Sequence, residues 1–271
     1  LPAELRPHDS DFIIQAALPV VNKNFYFPFR EVYLCASAFR LHFIRYHDIL
    51  LDKDTAFVGN EEHNEICIRG LCESARAAQA GGATRFELCG NLIIGGTTPD
   101  PFLFSRVQEC CTLPIHVLIR PRFGDFLYTD EEFMLMEQQV SWFAAHGARA
   151  VVIGMLTPDG ALDRDGMARL IEAVRTQNPD CKITLHRAFD VCRDPFAALE
   201  TAKELGVNTI LTSGQAASCV QGAPLLTELV HRAGDDIEIL IGAGVNAAVI
   251  GDLLPLTNAH AFHMSGKRTL D

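Results

Sequence analysis

From about residue 65 onward the apolar positions follow two alternating rhythms. Short unbroken runs such as Ala150-Val151-Val152-Ile153 have the composition of strands buried on both faces. Between them, apolar residues return every three or four positions, as Phe133, Met136, Val140 and Phe143 do, and Met167, Leu170, Ile171 and Val174 after them. That is the single stripe of a helix lying on a core. The joints between the rhythms repeat a phrase in which Gly ends a helix and Ala or Val opens the strand: Gly82-Ala83, Gly147-Ala148 and Gly206-Val207. Glycine suits a helix C-terminus because it takes the left-handed conformation without a Cβ penalty.

The strands predicted in this way cover residues 65–69, 85–89, 115–120, 150–155, 182–186, 208–213, 238–241 and 260–264. Helix starts are written between them. Thr129-Asp130-Glu131-Glu132 fits a capping box, and Asp194-Pro195 sets a capping oxygen before a proline at the first helical position. Strands alternating with helices make a parallel sheet, and eight of them predict an α/β fold of the (β/α)8 TIM-barrel type. A doubly wound open sheet is the alternative, but no Gly-x-Gly-x-x-Gly follows the first strand. After the eighth strand there remain only residues 266–271, so the eighth helix is expected to be missing. Its place is expected to be filled by a helix over residues 31–51 or by an oligomer partner. Residues 1–63, interrupted by Pro2, Pro7, Pro19 and Pro28, read as an N-terminal extension with no assigned role, and residues 64–271 as the barrel domain.

Composition narrows the setting. A chain of 271 residues, 48% hydrophobic and 21% charged, can bury the core of one barrel. A net charge of −11 argues against non-specific attraction to nucleic acid or an anionic membrane. Nine cysteines, an odd number scattered through apolar segments, read as reduced thiols of a cytoplasmic protein. No apolar run reaches the roughly 18 residues of a spanning helix, and Leu1-Pro2-Ala3-Glu4, without a charged n-region followed by an apolar one, is not expected to act as a signal peptide.

In a barrel, chemistry collects where strands end. Alternation sets Glu65, Cys67 and Arg69 on one face of the first strand, and Glu87 and Cys89 on one face of the second. Carboxylates inside apolar strands need partners, and Arg120 and Arg122 are expected to supply them. His186-Arg187-Ala188-Phe189-Asp190 could provide a general base, an anion anchor and an orienting carboxylate, with Glu87 or His186 as the acid/base group; a satisfied core histidine is the equal alternative. Glycine-rich loops carrying Gly242, Gly244 and Lys267 follow the last two strands, where barrels commonly seat phosphate. With Arg120, Arg122 and Arg187 they make a small anion a candidate ligand. Cys67 in Glu-Ile-Cys and Cys89 in Glu-Leu-Cys occupy matching places on neighbouring strands and could share one soft ion, Cu(I) above Zn2+. On the residues alone the leading reading is two buried cysteines acting as small apolar residues. Cys110 and Cys111, successive on a helix, are expected to point apart and chelate poorly.

The motifs Glu65-Ile66-Cys67, Gly81 to Cys89, Gly95-Gly96-Thr97-Thr98-Pro99, Ile119 to Tyr128, His186 to Asp190 and Leu211-Thr212-Ser213-Gly214, in this order, resemble the CutC family of copper homeostasis proteins. The resemblance covers about residue 65 to the end. It implies a (β/α)8 barrel, a cytoplasmic location, homo-oligomers and copper handling, with Cys67 and Cys89 as Cu(I) ligands. Departures from the family pattern are Arg69-Gly70 in place of Asp-Ser and His263-Met264-Ser265 in place of His-Cys-Ser, where Met264 would offer a thioether instead. Two expectations remain: a copper homeostasis protein binding Cu(I), or a barrel enzyme acting on a small phosphorylated or carboxylated anion.

Overall fold

The computed structural model describes residues 63–69 and 72–265. The expected helix over 31–51, the terminal residues 266–271 and Lys267 among them lie outside the described residues. The elements in chain order are β1 (His63–Arg69), α1 (Cys72–Ala80), β2 (Arg85–Cys89), α2 (Pro101–Cys110), β3 (Ile115–Leu118), α3 (Asp130–Ala145), β4 (Ala150–Ile153) and α4 (Arg164–Gln177). They continue as β5 (Lys182–Leu185), α5 (Pro195–Glu204), β6 (Thr209–Thr212), α6 (Ala223–Ala233), β7 (Glu238–Ile241), α7 (Ala247–Thr257) and β8 (Ala261–Met264). Every strand pairs in parallel with the next, and β8 pairs with β1, which closes the barrel. All eight predicted strands are present.

Several predicted strands overrun the observed ones at the C-terminal end. Arg120, Met155, His186 and Ser213 lie beyond the ladders, yet Ile119 N–H still bonds Val152 O and His186 N–H bonds Ile153 O. The chain stays buried for a residue or two after regular pairing stops. Apolar sequence therefore continues into the loops.

Alternation sorts the strand residues into two cores. The outward set, including Phe86, Leu88, Val117, Val151, Ile183 and Phe262, packs in one cluster with helix residues such as Phe104, Met136, Phe143 and Leu170. The inward set forms separate small clusters, Cys89 with Leu118 and Val152, and Leu211 with Leu240 and Ala261. Helix starts follow the sequence. Asp194 accepts from the N–H groups of Phe196 and Ala197, Asn246 caps α7 through Val249 N–H, and Thr129 and Glu132 close a reciprocal capping box on α3. Among the described residues no helix is long and apolar enough to cross a membrane.

The α3 box also anchors the loop above β3, because Glu132 holds Arg122. Thr129→Ala is expected to lower unfolding free energy by about 1 kcal/mol, read as a lower urea midpoint at unchanged slope.

Candidate functional site

At the N-terminal end of the barrel interior, Glu65 has no exposed surface. Its carboxylate is surrounded by one guanidinium and two imidazoles from three other strands. Arg85 Nε lies 2.9 Å from Oε2 and His116 Nδ1 2.9 Å from the same oxygen, while His263 Nδ1 is 2.8 Å from Oε1. Arg85 also reaches Glu238 at 2.8 Å, and Thr209 hydrogen-bonds that carboxylate at 3.2 Å. Register explains the set, because Glu65 stands opposite Arg85 on one side and His263 on the other. The expected partners Arg120 and Arg122 are not the ones used: both lie past the end of β3, on the far side of Leu118.

Burial alone would raise the Glu65 carboxyl, but the His116 and His263 imidazoles outweigh it and hold it well below the carboxylate range. His263 is lowered by its own burial, yet the Glu87 charge and the Glu65 hydrogen bond carry it above the usual imidazole value. Glu65, Glu87 and His263 bring ligand atoms within 4.8 Å of one another and could hold a metal ion. Their oxygen and nitrogen donors suit a hard or borderline cation, which would have to compete with the Arg85 guanidinium already bonded to Glu65.

The C-terminal mouth has another character. Arg120 is 91% buried, its Nη2 donating to Gly124 O at 2.8 Å and its Nη1 to Gly95 O and Gly96 O at 3.4 Å. Its guanidinium lies 5.0 Å from the centre of the Phe126 ring. The His186 imidazole packs on the same ring at 4.9 Å. His186 Nδ1 accepts from Ala188 N–H, so the neutral ring carries its proton on Nε2. Burial, with the Arg120 charge adding to it, pushes His186 down to about 3. It is therefore a neutral donor at physiological pH, not a base. Arg120 Nε and His186 Nε2 are buried with no acceptor among the described residues, an arrangement that costs roughly 1–3 kcal/mol per group until one arrives. Gly154 makes room for this ring: a Cβ there would stand 2.5 Å from His186 Cε1 and Nδ1.

Other predicted residues are engaged differently. Arg122 is bound to Glu132 at 2.5 Å and Asp125 at 2.9 Å. Arg187 donates to Asp190 at 2.7 Å and Ser213 Oγ at 3.0 Å. Asp190 also accepts from Thr212 Oγ1 at 2.5 Å and Ser213 N–H at 3.0 Å, so it ties the loop after β5 to that after β6. Gly242 N–H continues the ladder to Thr212 O, and Gly244 has a left-handed backbone at φ 83° ahead of the Asn246 cap. Glu87 is buried on the inward face of β2, opposite His116 and Cys67 in the register.

The two strand cysteines are not level. Cys67 is opposite Glu87, and Cys89 is opposite Arg69, a stagger of two residues. Combining about 4.8 Å across with about 6.6 Å along gives roughly 8 Å between their Cα atoms. Cys89 itself is fully buried against Leu118 and Val152. Met264 faces the outer core, opposite in direction to its neighbour His263, so it offers no ligand inside the barrel.

Sequence reasoning passed over Arg85, His116, Glu238, Phe126 and Gly154. Period-two counting places Arg85 beside Glu87, and His116 beside Leu118 and Arg120, on inward faces. Nothing in the sequence marks Phe126 or Gly154, whose roles arise between elements distant along the chain.

A family model described as the CutC family matches residues 63–268. A family protein CutC of Vibrio vulnificus is 43% identical over 205 residues, 76% of this chain and 81% of its own length. A mouse protein named copper homeostasis protein cutC homolog is 38% identical over 216 residues, 80% of this chain and 78% of its own. The crystal structure of the CutC protein of Streptococcus agalactiae superposes with a TM-score of 0.70 at 28% identity, covering 75% of this chain and 98% of that one.

The titrations set a pH window. His186, lowered to about 3, takes up a proton only on unfolding, so its contribution is complete above the unfolded value near 6.5 and is lost as pH falls toward 3. Glu65, held low, acts in the same direction below about 4.5. His263, raised, contributes fully below about 6.5 and loses its contribution as pH rises through its folded value. Stability is therefore expected to fall between pH 6.5 and 4, and His186→Gln to remove up to about 1.4 kcal/mol per pH unit of that slope. Urea unfolding across this range reads it; an unchanged slope in the variant contradicts the assignment.

Proposed function

The chain belongs to the CutC family, and from that membership we propose that this copper homeostasis protein is cytosolic and holds Cu(I) within its barrel at Cys67 and Cys89. The observation that carries the reading is the Cys89 thiol, enclosed with Leu118 and Val152 on the strand next to that of Cys67. Thiolate sulfur selects Cu(I), which accepts low coordination numbers. Binding would release the thiol protons, so affinity is expected to rise with pH. The absence of disulfides among the seven described cysteines suits a reducing compartment.

A second reading is favoured by the pair of buried donors at the mouth. Arg120 Nε and His186 Nε2 would bind one small phosphorylated or carboxylated anion at the mouth of a barrel enzyme. The acid/base role expected of Glu87 is not part of this reading, because Glu87 stands level with His116, below the Leu118 and Val152 side chains. At the mouth His186 polarises the ligand as a neutral donor, and Asp190 and Arg187 hold the rim loops in place.

Anaerobic titration with Cu(I) against a chromophoric chelator tests the first reading. The Cys67→Ser/Cys89→Ser double variant is expected to lose one tightly held equivalent per chain, and unchanged stoichiometry overturns it. Inorganic phosphate tests the second, with a stabilisation of about 2.7 kcal/mol expected at a hundred times its Kd. That gain should vanish in Arg120→Gln; phosphate that leaves the wild-type Tm unmoved overturns the phosphate arm, and acetate in its place tests the carboxylate one.

A further inference from the structure

A cavity of about 550 Å3 opens at the N-terminal end of the barrel, the end away from the mouth, around the starts of β4, β5 and β6. Its volume lies within the range of small-molecule sites. Arg149, Arg175 and Lys182 are on its lining, and Asp180 is the one carboxylate there. Such a gathering runs against the composition of a chain whose 34 acidic residues outnumber its 23 basic ones. Among the described residues most arginines and lysines are in ion pairs with carboxylates, whereas Arg149, Arg175 and Lys182 are in none.

Local structure holds the three cations at the cavity. Lys182 opens β5, and its N–H bonds Arg149 O at 2.9 Å just ahead of β4, so these two side chains leave adjacent backbone. Arg175, in the last turn of α4, donates from Nη2 to Leu205 O at 3.3 Å and Gly206 O at 3.4 Å, where α5 ends. Gly206 permits this: its φ is 70°, and a Cβ there would stand 2.6 Å from Arg175 Nη2. The glycine that marks a helix-to-strand junction in the sequence thus also seats a guanidinium. Only Nη2 of Arg175 is engaged by the described residues, which leaves most of its five N–H donors for a ligand.

Like charges on one lining repel one another, and Asp180 forms no ion pair with any of the three. An anion in the cavity removes that repulsion and gains charge-assisted hydrogen bonds. The cations come from three separate elements, so several charged groups on one ligand meet them better than a single compact charge does.

We propose that this cavity binds a small polyanion, a molecule with two or more phosphate or carboxylate groups, through Arg149, Arg175 and Lys182. The site is independent of the copper reading and of the anion reading at the mouth, where Arg120 and His186 supply the donors. All three cations are exposed side chains, so binding is readily reversible and weakens as salt rises.

Calorimetric titration of the full chain with pyrophosphate at low ionic strength is expected to show a site that 0.5 M NaCl weakens at least about tenfold. Arg149→Gln/Lys182→Gln is expected to weaken it about a hundredfold, roughly tenfold for each charge-assisted bond removed. That variant should keep the wild-type urea midpoint, and Arg120→Gln should bind pyrophosphate at this site as the wild type does. Citrate in place of pyrophosphate separates the two sources of charge: tighter pyrophosphate assigns the cavity to diphosphates, tighter citrate to polycarboxylates. Failure of both ions to bind, or binding that the double variant leaves untouched, overturns the proposal. So does binding that is lost in Arg120→Gln and kept in the double variant, a result that places the anion at the mouth and leaves that reading standing.

Discussion

A carboxylate with no access to water sits at the seam where the ring of strands closes, and the closed barrel depends on its compensation. Glu65 belongs to β1, the strand that must find both β2 and β8 for the sheet to have no edge. Arg85 and His263, its register partners on either side, both bond it, and His116 adds a third strand. Arg85 then carries the network across to Glu238 on β7. A slip of one residue would turn Glu65 toward the apolar layer under the helices, and losing a single partner from such a buried group costs roughly 3–5 kcal/mol. Replacing the whole network by apolar side chains would cost far less. Its contribution lies in specifying which strands meet, and in what register, more than in net stability.

Above this floor the inward positions change in order along the strands. On β3, β4, β6 and β7 the next inward residues are Leu118, Val152, Leu211 and Leu240, an apolar belt. Beyond the belt come Arg120, Gly154, His186, Ser213 and Gly242. The belt separates two polar regions that would otherwise neutralise each other in a chain of net charge −11. Arg122 and Arg187 are paired with carboxylates, but Arg120 is held by carbonyl oxygens and keeps its full charge. Over that belt the same charge and the same exclusion of water keep His186 neutral. Arg120 thereby brings a buried positive charge to the mouth of an acidic protein.

The barrel was legible because each of its strands is buried on both faces and each helix has one apolar stripe, so the two periodicities never mimic each other. Caps at Thr129 and Asp194 could be read directly because their chemistry lies within four residues. Pairing inside the barrel was less legible. Alternation gives the face of Glu65, but its partner depends on register between strands, and the nearest arginine in register, Arg85, opens the adjacent strand two residues before Glu87. The same ignorance of register made Glu-Ile-Cys and Glu-Leu-Cys look level. Cys110 and Cys111, expected to point apart, have sulfurs 3.7 Å from each other for a different reason: α2 ends at Cys110, Cys111 leaves it in extended backbone, and no glycine or proline marks that end.

Donor chemistry decides where copper would go in this chain. The interior offers carboxylate oxygen and imidazole nitrogen at Glu65, Glu87 and His263, but Arg85 already supplies the positive charge that those groups need. An added cation would gain one set of ion pairs by breaking another, with a second positive charge left in a region of low dielectric. Sulfur is in a different position, because neutral thiols buried among apolar side chains lose little on giving up that packing, and a Cu(I) thiolate bond is short, soft and largely covalent. Accessibility then sets the rate. Cys89 lies beneath the Gly95–Gly96 segment that Arg120 clamps, so an ion must wait for that segment to move. Metal at Cys89 would therefore load and leave slowly, which follows from its enclosure alone.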